Sequence, residues 1–262
     1  MTNHANNEAK RTDLSDAVLI EAFDFFSGAV PPGPVFQLET DDLITIVRSR
    51  TSESLWTGVS RLAIIGLVAS FEAFCKDLFA ATINIDPTLV RELKSAKFDI
   101  SVDLTSLLIL DVPTPHCFGF FLGERLKLNE PKKVNAAFFS SLGVSPLAKD
   151  DMKYLARLLE ERHLLVHHGG MITSRYHASK LRRREISDRL HVDSLEITED
   201  EIGAHIHQLR KLAHKMLKTV ASAMRKRSNL SGSTYYPVQL EGVAMLEWWE
   251  PDDASDSPGV VE

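Results

Sequence analysis

The stretch best suited to phosphate chemistry in this 262-residue chain is Arg162-His163-Leu164-Leu165-Val166-His167-His168-Gly169-Gly170. Imidazole titrates near neutral pH and can take or give a proton, and a guanidinium keeps its charge and presents a planar fork that matches phosphate oxygens. The run closes a segment, Ala148 to His168, in which Met152, Leu155, Leu158, Leu159 and Leu165 share one side of a helix. The paired glycines beyond it read as a helix stop. On such a helix Arg162 and His167 project about 140° apart and stand roughly 7.5 Å apart along the axis. One small ligand cannot be chelated by that pair on a single helix. The pair can flank a seam where a second copy of the helix packs, which brings two arginines and two histidines into one cleft. His167 also sits where the helix dipole is negative, a position that favours a cation.

Blander readings stand beside this one. Arg162 can serve a surface ion pair, and His167 can cap the last carbonyls. His163 and His167, four residues apart, share a face as metal ligands would, but no H-E-x-x-H arrangement or third carboxylate accompanies them. No metal site is therefore expected. His205-x-His207 projects about 200° apart on a helix, which suits solvent better than chelation. Glu72, inside an apolar helix, either partners a basic group or lies at the helix edge, since a buried carboxylate needs a partner. Lys180-Leu181-Arg182-Arg183-Arg184 reads as a phosphate-binding run or as a solvated surface. Trp248-Trp249 reads as an interaction motif or as an anchor that packs the tail.

The elements that must position these groups follow a helical period. Asp13 to Phe26 is a first helix, stopped by Pro31-Pro32-Gly33-Pro34. The pattern turns helical again from Asp41. Leu55 to Ile83 is apolar nearly all round and reads as the central helix. Asp86-Pro87 opens a short helix to about Lys97, and Asp99 to Pro115 is ambiguous. Glu130-Pro131 starts another helix, ended by Gly143. Thr198-x-x-Glu201 is a capping box that opens a long last helix through Ile202, Ile206, Leu209, Leu212, Ala213, Met216, Leu217 and Val220. The one strand expected lies around Val192 to Ile197. After Arg227 the period disappears. The reading is all-α, with N-terminal helices over 1–54, a helical bundle over 55–227 carrying an inserted basic segment at 171–197, and an irregular acidic, aromatic-containing tail over 228–262.

Charge adds to this. The net charge is −6, yet residues 171 to 230 carry 13 basic and 7 acidic side chains while residues 231 to 262 carry none and 7. A local basic excess in an acidic chain suits a polyanion or a solvated helix face. The longest apolar run, Leu62 to Phe71, is closed by Glu72 and falls short of the roughly 18 residues a membrane span needs. No secretory signal is visible at the start, so a cytoplasmic protein without membrane association is expected. Two cysteines, Cys75 and Cys117, without C-x-x-C spacing argue against disulfides and structural zinc.

The run R-H-L-L-V-H-H-G-G resembles the R-x4–6-H signature of the HEPN superfamily, in the form with a polar residue after the arginine and glycine after the histidine. Leu67-Val68-Ala69-Ser70-Phe71-Glu72-Ala73-Phe74-Cys75-Lys76-Asp77-Leu78 is similar to the long second helix of its RiboL-PSP-type branch, and the likeness covers roughly residues 55 to 220. The resemblance implies a HEPN-type helical bundle that forms a homodimer across the motif helices and cleaves RNA without metal or cofactor. It implies a defence or toxin–antitoxin setting, with an antitoxin or defence-system protein as partner. Arg162 and His167 take the motif positions, His163 the variable polar slot, and Glu72 a position where relatives often place an acidic residue facing the site. The tail from about 228 lies outside the pattern. A non-catalytic HEPN-like module for dimerisation or partner binding is the alternative. In the catalytic case a histidine removes the proton of an RNA 2′-hydroxyl and the arginine stabilises the pentavalent transition state. The products are then a 2′,3′-cyclic phosphate and a 5′-hydroxyl, and Arg182, Arg183 and Arg184 help hold the RNA.

Overall fold

The computed structural model describes residues 16–49, 56–96, 118–181, 194–230 and 235–249. Among these, 80% are helical and none lies in a sheet, so the chain is all-α. The first helix, α1, covers 16–23 and gives way to a short 3-10 turn at Ser27–Ala29. It is followed by α2 (Pro32–Arg48), α3 (Trp56–Ile85), α4 (Leu89–Ser95) and α5 (Phe118–Arg125). Then come α6 (Pro131–Leu142), α7 (Lys149–His167), α8 (Ser174–Leu181), α9 (Glu199–Leu230) and α10 (Pro237–Met245).

Two elements begin where the sequence reading had none. The prolines expected to hold the chain out of helix until Asp41 form the first turn of α2. The first backbone N–H groups of a helix have no partner within it, so proline loses nothing there. The tail expected to be irregular contains α10, again opened by a proline, with the Tyr236 N–H donating to Gln239 Oε1 at 2.9 Å. The strand expected around Val192 to Ile197 is, among the described residues, a single antiparallel bridge between Ser194 and Met171. Residues 97–117, including the ambiguous segment, lie outside the described residues.

The described residues fall into two compact units. One takes in those within Met1–Val35, Phe74–Pro146 and Ala213–Pro251; the other takes in those within Phe36–Ala73 and Leu147–Leu212. In the first, Phe79 of α3 meets Phe138 of α6 edge-on at 5.7 Å, and α4 packs on α6. Asn84 ties three segments together, donating to the Phe25 carbonyl at 3.1 Å and accepting from the Gly119 N–H at 2.7 Å. That approach requires glycine, because a Cβ on Gly119 would stand 2.0 Å from the Ala80 carbonyl oxygen. The buried Asp86 carboxylate accepts from Arg227 Nε at 3.0 Å and from the Tyr235 hydroxyl at 2.8 Å. Trp249 is buried while Trp248 is half exposed and meets Phe23 edge-on, so the tail packs through its second tryptophan.

The second unit carries the candidate site. Here Arg210 of α9 reaches α2, where its guanidinium donates to Thr40 Oγ1 at 2.8 Å and to Asp41 Oδ1 at 2.5 Å. The Trp56 indole N–H at the start of α3 donates to the Ile197 carbonyl at 2.9 Å. The expected capping box forms, with the Thr198 N–H on Glu201 Oε2 at 2.8 Å and the Glu201 N–H on Thr198 Oγ1 at 3.2 Å.

Candidate functional site

α7 begins with two acids in its first turn, Asp150 and Asp151, placed where the helix dipole is positive. Asp151 Oδ2 accepts the Ala148 N–H at 2.8 Å and fixes the start. Lys153 beside Asp150 holds that exposed carboxyl below its ordinary value, first through a hydrogen bond and then through its charge. Leu155, Leu158, Glu161, Leu164 and Leu165 form the buried face. The helix ends as its glycines predict: the Leu164 carbonyl accepts from both His168 N–H at 2.9 Å and Gly170 N–H at 3.0 Å. Gly169 and Gly170 both take left-handed backbone, φ 58 and φ 82, which bends the chain back over the last turn. Leu195 N–H then donates to the Gly170 carbonyl at 2.7 Å. Ile172 and Tyr176 join Leu164 in a small apolar cluster bordered by Leu195, so α8 lies against the end of α7.

This construction leaves three imidazoles in solvent at one helix end. His163, His167 and His168 are exposed, with the His163 ring 4.6 Å from that of His167 and 5.6 Å from that of His168. His163 is held below its ordinary value of 6.5, first by loss of hydrating water around the ring and then by the positive charges of His167, His168, Arg175 and Arg162. The same influences place Arg175, at the start of α8, within electrostatic reach of His163. Arg162 is half-buried on the flank of α7, about 140° from His167 around the axis. Glu72 is partly buried on α3. Arg182, Arg183 and Arg184 lie outside the described residues. Among the described residues, no group of three or more His, Cys, Asp or Glu is arranged to hold a metal ion, and Cys75 is buried.

A buried polar group behind the imidazoles has no counterpart in the sequence reading. Glu161, preceding Arg162, is only 7% exposed. Arg157 Nε lies 3.1 Å from its Oε1, the Tyr176 hydroxyl 3.5 Å from the same oxygen, and His205 Nε2 3.9 Å from Oε2. The Tyr154 hydroxyl meets His205 Nδ1 at 2.8 Å. Burial first, and the Glu161 charge second, push the Tyr154 and Tyr176 hydroxyls well above the ordinary tyrosine value. His205 is thus drawn inward, not to solvent as the spacing of His205 and His207 suggested, while His207 is exposed. The signal for Glu161 was present in the pattern: it falls between Leu158 and Leu165 on the apolar stripe of α7. The identity of its partners was not, because His205 belongs to α9 and only tertiary packing brings it there.

No protein-family model, curated protein or solved structure matches the chain.

Proposed function

We propose that the chain is a metal-independent endoribonuclease of HEPN type, with Arg162 and His167 as its catalytic pair and His163 beside them. The observation that carries this reading is the group of three exposed imidazoles at the end of α7, with Arg162 and Arg175 near enough to lower the proton affinity of His163. Such a group combines fixed positive charge for a phosphodiester with side chains that exchange protons near neutral pH. One histidine takes the 2′-hydroxyl proton as the oxygen attacks phosphorus. The P–O5′ bond breaks, and an imidazolium returns a proton to the leaving 5′-oxygen. Arg162 stabilises the charge that develops on the non-bridging oxygens. The balanced products are a 2′,3′-cyclic phosphate and a 5′-hydroxyl.

The α7 face that holds His163 and His167 also exposes Val166, which suits a second copy more than bulk water. The basic segment from Arg175 to Arg189 extends the grip on RNA, and an antitoxin or defence-system protein would control the activity. Incubation of the purified protein with total RNA in EDTA, beside the Arg162→Ala/His167→Ala double variant, tests this. The reading expects 2′,3′-cyclic phosphate ends from the parent alone. Absence of cleavage, or equal cleavage by the double variant, moves the assignment to a non-catalytic dimerisation or partner-binding module.

A further inference from the structure

We infer that the exposed face of α9 from Lys215 to Asn229 binds the phosphate backbone of single-stranded RNA; the choice of RNA among polyanions rests on the ribonuclease reading. From Ile202 to Leu240 the chain holds no acidic residue, although its net charge is −6. At about 100° per residue, Lys215, Lys218, Ser222, Arg225, Lys226 and Asn229 fall within about 100° of arc on α9, and all six are exposed. Met216, Leu217, Val220, Ala221 and Met224 occupy the opposite side and are buried. This part of α9 belongs to the first unit, where its apolar side packs and its cationic, hydrogen-bonding stripe faces solvent.

A solvated helix face explains part of this charge and not the rest. Cations near a helix C-terminus are favoured by its dipole, which accounts for Arg225 and Lys226, within the last two turns before Leu230. Lys215 and Lys218 stand more than about three turns from that end, and at a spacing of three residues they repel one another. Exposed lysines on other helices stand beside acids: Lys133 Nζ lies 2.5 Å from Glu130 Oε1, and Lys153 Nζ 2.7 Å from Asp150 Oδ1. On α9 itself Arg227, off the stripe, is taken up by Asp86 at 3.0 Å, and Arg225, at the stripe's edge, pairs with Glu247. Lys218 and Lys226 meet no carboxylate among the described residues.

The composition of the stripe selects the ligand. A helix that lies on a bilayer inserts an apolar side, but the apolar side of α9 is packed in the core, and no exposed apolar residue interrupts the lysines. A strand of phosphodiesters is met by spaced positive charge with hydrogen-bonding side chains between, which Lys215, Lys218 and Lys226 provide together with Ser222 and Asn229. Lys215 to Lys226 spans roughly 17 Å along the axis, about five nucleotides at the 3.4 Å rise of a stacked strand. Each phosphate neutralised there releases condensed counterions and relieves the repulsion between the lysines.

The test uses a fluorescent 2′-O-methyl oligoribonucleotide of mixed sequence, which lacks the attacking hydroxyl and cannot be cut. Its affinity is followed by anisotropy across a salt series, alongside cleavage of unmodified RNA by the parent. Lys215→Gln/Lys218→Gln/Lys226→Gln should weaken binding about 10-fold or more at low salt and flatten the salt slope by about 2, at roughly 0.7 per charge. Lys127→Gln/Lys132→Gln/Lys133→Gln removes the same charge from exposed lysines elsewhere and should bind as the parent does. In the parent, bound oligonucleotide should shield Lys215, Lys218 and Lys226 from acetylation while Lys127 and Lys132 stay reactive, which mass spectrometry reads without any variant. Parental affinity and slope in the stripe variant, equal losses in both triple variants, or unshielded stripe lysines in a parent that binds overturn the inference and leave the ribonuclease reading in place. Loss of binding to phosphatidylserine vesicles in the stripe variant, with oligonucleotide binding unchanged, does the same and gives the face to a membrane. A parent that binds through the stripe without cutting upholds the inference and removes the ribonuclease reading. A parent that neither binds nor cuts overturns both.

Discussion

At the residue scale, the division of work between arginine and histidine sets what each substitution should do. A group that transfers protons contributes about 10² to 10⁴ to rate, so His167→Ala should lower cleavage by that factor without changing thermal stability, since the ring is exposed. Arg162→Ala should abolish cleavage while circular dichroism stays that of the parent. Single-turnover rates on one defined RNA, with melting curves for each variant, check both. Parental rates from His167→Ala would remove the assignment. His163 makes a separate statement about pH. Its affinity for protons in the folded chain lies below the ordinary value of 6.5. The unfolded chain therefore takes up that proton first as pH falls, and stability is lost on acidification from 6.5 down to the folded-state value. Melting temperature should fall over that window, and His163→Gln should fall less steeply. Parallel curves for the two proteins would show that His163 contributes nothing to the slope.

At the element scale, α7 was the most legible part of the chain, and the reason is local. Acids at its start, apolar residues at helical spacing and Gly169-Gly170 after its end are all rules that operate within a turn or two, and α7 obeys them from Lys149 to His167. The start of α2 and the whole of α10 were missed for the converse reason. A proline is compatible with a helix start and with a helix stop, and only the residues packed against it decide; Gly33, for one, lies so close to Trp249 that a Cβ would stand 2.8 Å from the Trp249 Cβ. The motif residues Arg162, His163 and His167 were readable from spacing, whereas Tyr176 and His205, which meet Glu161, come from other helices. That buried carboxylate carries its own expectation. Glu161→Ala removes the carboxylate that the Tyr176 hydroxyl meets and that stands 3.9 Å from His205 Nε2, while Arg157, whose side chain is 41% exposed, can be rehydrated. The cost should be about 1 to 3 kcal/mol, toward the lower end of what removing a buried charged acceptor brings. Chemical denaturation measures it, and a change within error would mean that water replaces the carboxylate at no loss.

At the scale of the whole molecule, the question is how many copies make one site. Arg162 and His167 project about 140° apart on α7, so a single chain turns its arginine and its histidine toward different sides of the helix. Two α7 helices packed about a two-fold axis remove the difficulty, because the histidine of one copy then lies beside the arginine of the other. The surface available for this is the one carrying His163, Val166 and His167, and Val166 is 43% exposed there with Met171 at 45% just beyond the helix. Sedimentation velocity at micromolar concentration should accordingly give a species of twice the 29.3 kDa chain mass. Val166→Lys would press a further cation into a seam that already gathers two arginines and the imidazoles, so it should yield monomers and lose cleavage in the same titration, with helical content unchanged. Raising the concentration of that variant should restore dimer and activity together. If the monomer instead cuts RNA at the parental rate, each chain holds a complete site and the two-fold arrangement has to be abandoned.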